Sequence, residues 1–206
     1  MKQALQDGDA SALRRILAKD PAQANTLIRW GTNDSLQTHP LHYVSDLLFE
    51  KKLQKGRELP LIDALLKAGA QIDFQRNRKG DTPLIGAASL GAEEVGLKLV
   101  DAGANPARRG LFGETPLHWA ALLGEAKLAK KLIPGSDLNL KDEKYQSPPL
   151  GWAIHGFSDP PAGNHGNQIE VAKLLVAAGA NVEAKWLESR EVLASPRMLK
   201  ALQSSR

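Results

Sequence analysis

Apolar residues in the middle of the chain recur at helical spacing in pairs of short segments. Leu117, Ala120 and Ala121 share one helix face, and Leu128, Ala129, Leu132 and Ile133 share another. Thr115 can cap the free N–H groups of the first helical turn, and Pro116 suits the first helical position, where a backbone donor is not needed. Gly124 follows the last apolar position and permits the left-handed backbone that ends a helix. The pattern predicts helix, tight turn, helix and return loop, a unit with one apolar side that it cannot bury alone. Toward the N-terminus, Gly8 separates a short helix from 12–19. There Leu13, Ile16 and Leu17 form the inner stripe, while Arg14, Arg15 and Lys19 face water. Further helices are predicted over 61–68 and 169–177, and Ser195-Pro196 opens a last one over 197–203.

The unit repeats. Pro83, Pro116 and Pro149 stand 33 residues apart, and Gly69 and Gly103 stand 34 apart. Thr82-Pro83-Leu84 and Thr115-Pro116-Leu117-His118 mark the helix starts. Ala102-Gly103-Ala104-Asn105 and Ala178-Gly179-Ala180-Asn181 mark the ends. With this period and these motifs the chain resembles the ankyrin-repeat family over most of its length. The resemblance implies an all-α solenoid of paired antiparallel helices with hairpin-like loops and helical caps at both ends, in one domain spanning 1–206. Its expected parts are an N-terminal cap repeat (1–33), four repeats (34–73, 74–107, 108–140 and 141–183) and a C-terminal cap (184–206). A bacterial type is suggested by the run PLGWAIHG at 149–156.

Two intervals are long. Pro40 to Pro83 spans 43 residues, and the excess falls at 49–59, a Lys-rich stretch that lengthens a helix or bulges as a loop. Gly135 to Gly179 spans 44, and the excess falls at 157–167, where Pro, Gly and Asn predict an exposed, non-helical loop. Pro106 is expected to loosen strand pairing in its hairpin.

Composition narrows the function. The chain is 42% hydrophobic and 24% charged, with a net charge of +4. That suits a folded domain, and the charge is far from the extreme of a nucleic-acid binder. Without cysteine, disulfides and thiolate metal sites are excluded. Residues 1–17 lack the apolar run of a signal peptide, and no stretch approaches a membrane span. A cytoplasmic monomer without cofactor is expected.

No catalytic constellation stands out. There is no G-x-S-x-G elbow, and 110–113 lacks the Lys-Ser/Thr ending of a phosphate loop. By the family resemblance, His42 and His118 hydrogen-bond between neighbouring repeats. His155 and His165 flank the second insertion and, with Asp159, form the one arrangement that a metal-dependent enzyme could use. The non-enzymatic reading is preferred.

The resemblance also implies that partners meet the hairpin tips and the faces of the first helices. Carried onto the TPL motifs, it selects Arg78, Lys79, Leu90, Leu111, Phe112, Leu122, Leu123, Lys144, Tyr145 and His155 as partner-binding. Leu90, Leu111, Phe112, Leu122, Leu123 and Tyr145 are apolar where water is usual, and Arg76, Arg78, Lys79, Arg108, Arg109 and Lys144 surround them. An apolar patch with a charged rim is the signature of an interface. The expected partner is a protein, with an acidic surface favoured over nucleic acid or membrane. An inhibitory, immunity-type binder that neutralises a toxin or enzyme, with 157–167 as a plug, is the alternative. Trp119 and Trp152 are expected to pack between repeats, and Trp30 and Trp186 to be partly exposed.

Overall fold

The computed structural model of the chain describes residues 1–77, 80–161 and 167–204. Two short helices begin it, α1 (Lys2–Gln6) and α2 (Ala10–Lys19). Between them Gly8 has φ +65°, and Asp9 caps α2 by accepting from the N–H groups of Ser11 and Ala12. A 3₁₀ turn at Pro21–Asn25 leads into β1 (Ile28–Trp30), which pairs antiparallel with β2 (Leu36–Thr38). Four helix pairs follow: α3 (Pro40–Phe49) with α4 (Glu58–Lys67), α5 (Pro83–Ser89) with α6 (Glu93–Asp101), α7 (Pro116–Leu123) with α8 (Ala126–Leu132), and α9 (Pro149–Ser158) with α10 (Gln168–Ala177). Three short helices close the described chain: α11 (Ala184–Leu187), α12 (Arg190–Leu193) and α13 (Pro196–Gln203). Ser195 Oγ accepts from Met198 N at the start of α13.

The first helices α3, α5, α7 and α9 stack side by side, and α4, α6, α8 and α10 form a second layer behind them. One apolar core runs through both layers. Leu41, Leu84, Leu117 and Leu150 occupy matching positions two residues after the start of each TPL-type motif, and all four are fully buried. Burying such a side chain is worth about 1.5–3 kcal/mol. Each does so only because the neighbouring pair lies over it.

Polar groups at the ends of the helices are satisfied across the repeat boundary. His118 Nδ1 accepts from Thr115 N (3.1 Å), and its Nε2 donates to the Leu140 carbonyl (3.1 Å). His42 Nε2 donates to the Asp81 carbonyl (3.0 Å). One ring thus holds a helix start and the next hairpin together, as the family resemblance implied. The return loops are tied by the same logic. Asn25 Oδ1 accepts from Gln71 N (2.7 Å), Asp73 Oδ1 from Asn105 N (3.0 Å), and Asn139 Oδ1 from Asn181 N (2.9 Å).

Helices α7 and α9 approach each other closely. A Cβ added at Gly156 would lie 2.1 Å from the Leu122 carbonyl oxygen. The end of α7 is then sealed from the far side of the second insertion: Gln168 Nε2 donates to the Leu122 carbonyl, and Asn167 N donates to that of Gly124 (3.0 Å each). Gly124 itself adopts φ +70°, as the sequence predicts.

Two expectations change, and one open alternative is decided. The first insertion is a loop, not a longer helix: α3 ends at Phe49 and α4 begins at Glu58, and the loop is anchored by the buried side chain of Leu53. Phe157 and Ser158, assigned to a non-helical loop, continue α9, because the partly buried Phe157 packs against the core. Residues 162–166 lie outside the described residues. Trp186, expected to be partly exposed, is buried, its ring closing over the backbone at Gly151. Trp30 is half-buried, with its ring 5.7 Å from Tyr43.

Replacing Gly156 by Ala should force α7 and α9 apart and destabilise the fold by about 1–3 kcal/mol in urea denaturation. The acid limb of stability should come largely from the inter-repeat histidines. Burial pushes His42 and His118 down to about 4 in the folded chain, whereas the unfolded chain takes up these protons near pH 6.5. Their contribution is therefore complete above pH 6.5 and is lost as pH falls toward 4, on the order of a few kcal/mol together. His118→Gln keeps a donor for Leu140 but cannot titrate, so its denaturation midpoint should vary less between pH 7 and pH 5 than that of the parent chain.

Candidate functional site

The face of the first helices carries an aromatic cleft of about 480 Å³. It is lined by Trp119 and Leu122 of α7, by Gly151, Trp152 and His155 of α9, and by Tyr145 and Ser147 of the hairpin before α9. Helical spacing explains half of this set. Trp119 and Leu122 are three apart on α7, and Trp152 and His155 are three apart on α9, so each pair shares one helix face. The Gly156–Leu122 approach brings the two faces together.

Three rings meet edge to face. The Trp119 and Trp152 centroids are 5.1 Å apart at 81°, and those of Tyr145 and Trp152 are 5.7 Å apart at 76°. That geometry sets the positive edge of one ring against the negative face of the next. Each indole N–H is satisfied by a buried carboxylate of the hairpin below it. Trp119 Nε1 donates to Glu114 Oε1 and Trp152 Nε1 to Asp142 Oδ1, both at 3.1 Å. Asp142 also accepts from the N–H groups of Lys144 (3.0 Å), Tyr145 (2.6 Å) and Ser147 (3.0 Å), folding that hairpin around itself. Burial raises its pKa, but the N–H groups of Tyr145 and Ser147 and the Trp152 indole outweigh this, leaving the carboxyl below its ordinary range. Tryptophan orientation and hairpin shape are therefore one hydrogen-bonded assembly.

Leu122, Tyr145 and His155 of the sequence-selected residues come together in this cleft. Tyr145 is 60% exposed and His155 is exposed. Lys144 stands at the rim with its ammonium 4.5 Å from the Phe112 ring centroid and 4.9 Å from that of Tyr145, and it makes no ion pair among the described residues. Leu111, 55% exposed, lies on the preceding hairpin. Leu90 is half-buried and lies elsewhere, at the turn between α5 and α6. Leu123 is a correction. It was placed on the water-facing surface but is 8% exposed, because it turns toward the junction of α7 and α8 instead of the cleft. Arg78, Lys79 and His165 lie outside the described residues.

The sequence reading assigned Trp119 and Trp152 to packing alone. Trp152 is buried as expected, yet both rings also wall the cleft. Their 33-residue spacing, with an acidic residue in each preceding hairpin, was the signal available. Several rim cations are already engaged. Arg109 Nε donates to the Gly113 carbonyl (2.9 Å), and its guanidinium lies 3.7 Å from Glu143. Arg76 donates to Gln37 (3.2 Å). Among the described residues, no group of three or more His, Asp or Glu side chains is placed to hold a metal ion, and no helix is long and apolar enough to cross a membrane.

Stacked helix pairs joined by hairpins, with an aromatic cleft on the face of the first helices, define a helical-repeat solenoid. Residues 52–142 match the family model described as ankyrin repeats (3 copies). Ankyrin repeats thus occupy residues 52–142, within an all-α solenoid whose stacked pairs extend on both sides of the matched segment. Comparison with curated proteins finds no match.

Two substitutions should separate structural from surface roles in the cleft. Asp142→Ala strands three backbone N–H groups and an indole, and should destabilise the chain by about 1–3 kcal/mol. Tyr145→Ala should stay within about 0.5 kcal/mol of the parent chain. Thermal denaturation followed by circular dichroism distinguishes the two, and equal losses would contradict this division.

Proposed function

We propose that this chain is a non-enzymatic binding module that seats a partner protein on the face of its first helices and on the adjoining hairpin tips. Ankyrin repeats are in general protein–protein interaction modules, and that much follows from the family. The location is our own reading. The observation that carries it is the cleft of Trp119, Leu122, Tyr145, Trp152 and His155, open on a face where Leu111 and Tyr145 are also exposed. Aromatic residues that are rigid, pre-oriented and half in contact with water are the side chains on which protein interfaces concentrate their affinity. Their indole groups are held by Glu114 and Asp142, so little ordering remains to be done on binding.

Lys144 supports an acidic group on the partner beside the apolar anchor. Its ammonium leans on two rings and has no carboxylate among the described residues. The partner's segment would place a bulky apolar side chain in the cleft and a carboxylate against Lys144. The module acts as a monomer in the cytoplasm on this reading. Whether the bound protein is recruited or inhibited depends on that protein.

The test is a double substitution, Leu122→Arg with Tyr145→Ala, compared with the parent chain as bait. Proteins retained by the parent should be lost from the variant by about a hundredfold or more, the equivalent of two anchors. The far-ultraviolet circular dichroism should not change. Retention of the same protein by both baits would exclude the cleft as its binding site.

A further inference from the structure

A second cavity, of about 730 Å³, lies where the first helix of each pair turns into the second. One wall is the inserted loop between α3 and α4, with Leu48 and Phe49 at the end of α3. The other is formed by the α5–α6 and α7–α8 turns, with Leu90 and Leu123. The regular repeat has no such loop, so the insertion is what encloses this space.

Glu125 lines the cavity. It is 8% exposed, and neither of its carboxyl oxygens has a hydrogen-bond partner. Its position before α8 would normally let the side chain cap that helix, but it makes no cap bond. Glu93 of the preceding repeat takes the role, its Oε1 accepting from the N–H groups of Lys127 (3.0 Å) and Leu128 (3.2 Å). Glu125 is thus left without work in the fold. A buried carboxyl with no donor is a continuing loss of stability. Burial, with the charge of nearby Glu93, pushes its pKa up to about 9.

The other carboxylates around the cavity are accounted for. Glu94 pairs with Lys127 (3.3 Å), and Glu58 accepts from Gly56 N (2.6 Å). Lys51 and Lys55 are exposed on the loop wall, with no ion pair among the described residues. What remains is an acidic floor in want of a donor, beneath apolar walls.

We propose that this cavity is a binding site for a guanidinium or ammonium group carried on an aliphatic stem, the head donating to Glu125 and the stem lying against Leu48, Phe49, Leu90 and Leu123. The Glu125 oxygens are buried and no hydrogen bond restrains them, so binding requires the side chain to turn them toward the cavity. A cation suits it better than a neutral donor, because Glu93 adds a second negative charge and the buried position strengthens both attractions. Below about pH 9 the incoming cation displaces the carboxyl proton to solvent. The head can belong to a free amine or to a lysine or arginine of a protein. The site lies apart from the aromatic cleft, and its existence does not rest on partner binding there.

The test is a titration of the full chain, labelled with ¹⁵N, with three probes: agmatine, an acetylated and amidated Gly-Arg-Gly peptide, and uncharged butylurea. A cationic probe should shift the amide signals of Phe49, Gly124 and Glu125, with butylurea about tenfold weaker or worse. Calorimetry at pH 8 in two buffers of different ionisation enthalpy should detect proton release. Glu125→Gln should weaken cation binding about tenfold or more and abolish that release. The same variant should melt above the parent chain, since it removes the buried acid, so lost binding cannot be attributed to unfolding. Lys51→Gln with Lys55→Gln should tighten binding by relieving repulsion. Binding of both cations assigns the site to amines in general, and binding of the peptide alone assigns it to a protein segment. Absence of shifts with either cation at about 10 mM, or unchanged binding by Glu125→Gln, overturns the proposal.

Discussion

A pair of short helices has an apolar side and no means of covering it. Everything else in this chain follows from that constraint. Each pair is buried only by its neighbours, so the fold grows as a row, with the first helices in one layer and the second in another. Stacking also decides where polar groups go. Between adjacent pairs the helix starts and hairpins are too enclosed to be solvated, and His42, His118, Asn25, Asp73 and Asn139 bridge them. Repeat-to-repeat ion pairs such as Lys98–Asp63 and Lys141–Glu183 decorate the outside. Being exposed, they add little to stability.

The same stacking produces the cleft. Two helices that approach as closely as α7 and α9 cannot both carry large side chains between them, so bulk is displaced to the edge of the contact. Gly156 accepts the Leu122 backbone, and the tryptophans spread over the face instead. Their N–H groups would then be buried without partners, and Glu114 and Asp142 supply them. Those carboxylates also organise the hairpins, Asp142 by accepting three backbone N–H groups and Glu114 by accepting from Phe112 N. Loop order and aromatic order are coupled through single side chains, which gives a rigid surface around the cleft.

The insertions lie at the helix turns of the first and last of the four pairs, away from the hairpins. The first is held by Leu53 and walls the cavity that contains Glu125. The second separates α9 from α10, yet its far end returns to seal the carbonyls of Leu122 and Gly124. A solenoid tolerates such additions because the layers are joined through buried apolar contacts and not through the turns.

Much of this was legible in the residues. The 33-residue spacing of Pro83, Pro116 and Pro149, the glycine stops and the helical stripes determined the helix pairs and their order, because local backbone preference and apolar periodicity act over a few residues. Leu122, Tyr145 and His155 could be selected as surface positions for the same reason: they recur at fixed places in the unit. Leu123 and Trp186 could not be placed, since adjacent positions on a short helix differ by about 100° in direction. Only the neighbouring repeat decides which of them is covered. Nor could the sequence show that Glu93 caps the helix that Glu125 begins, or that a Lys-rich loop closes over them. Those facts arise from contacts between repeats, where the distance in space is set by stacking and bears no relation to distance along the chain.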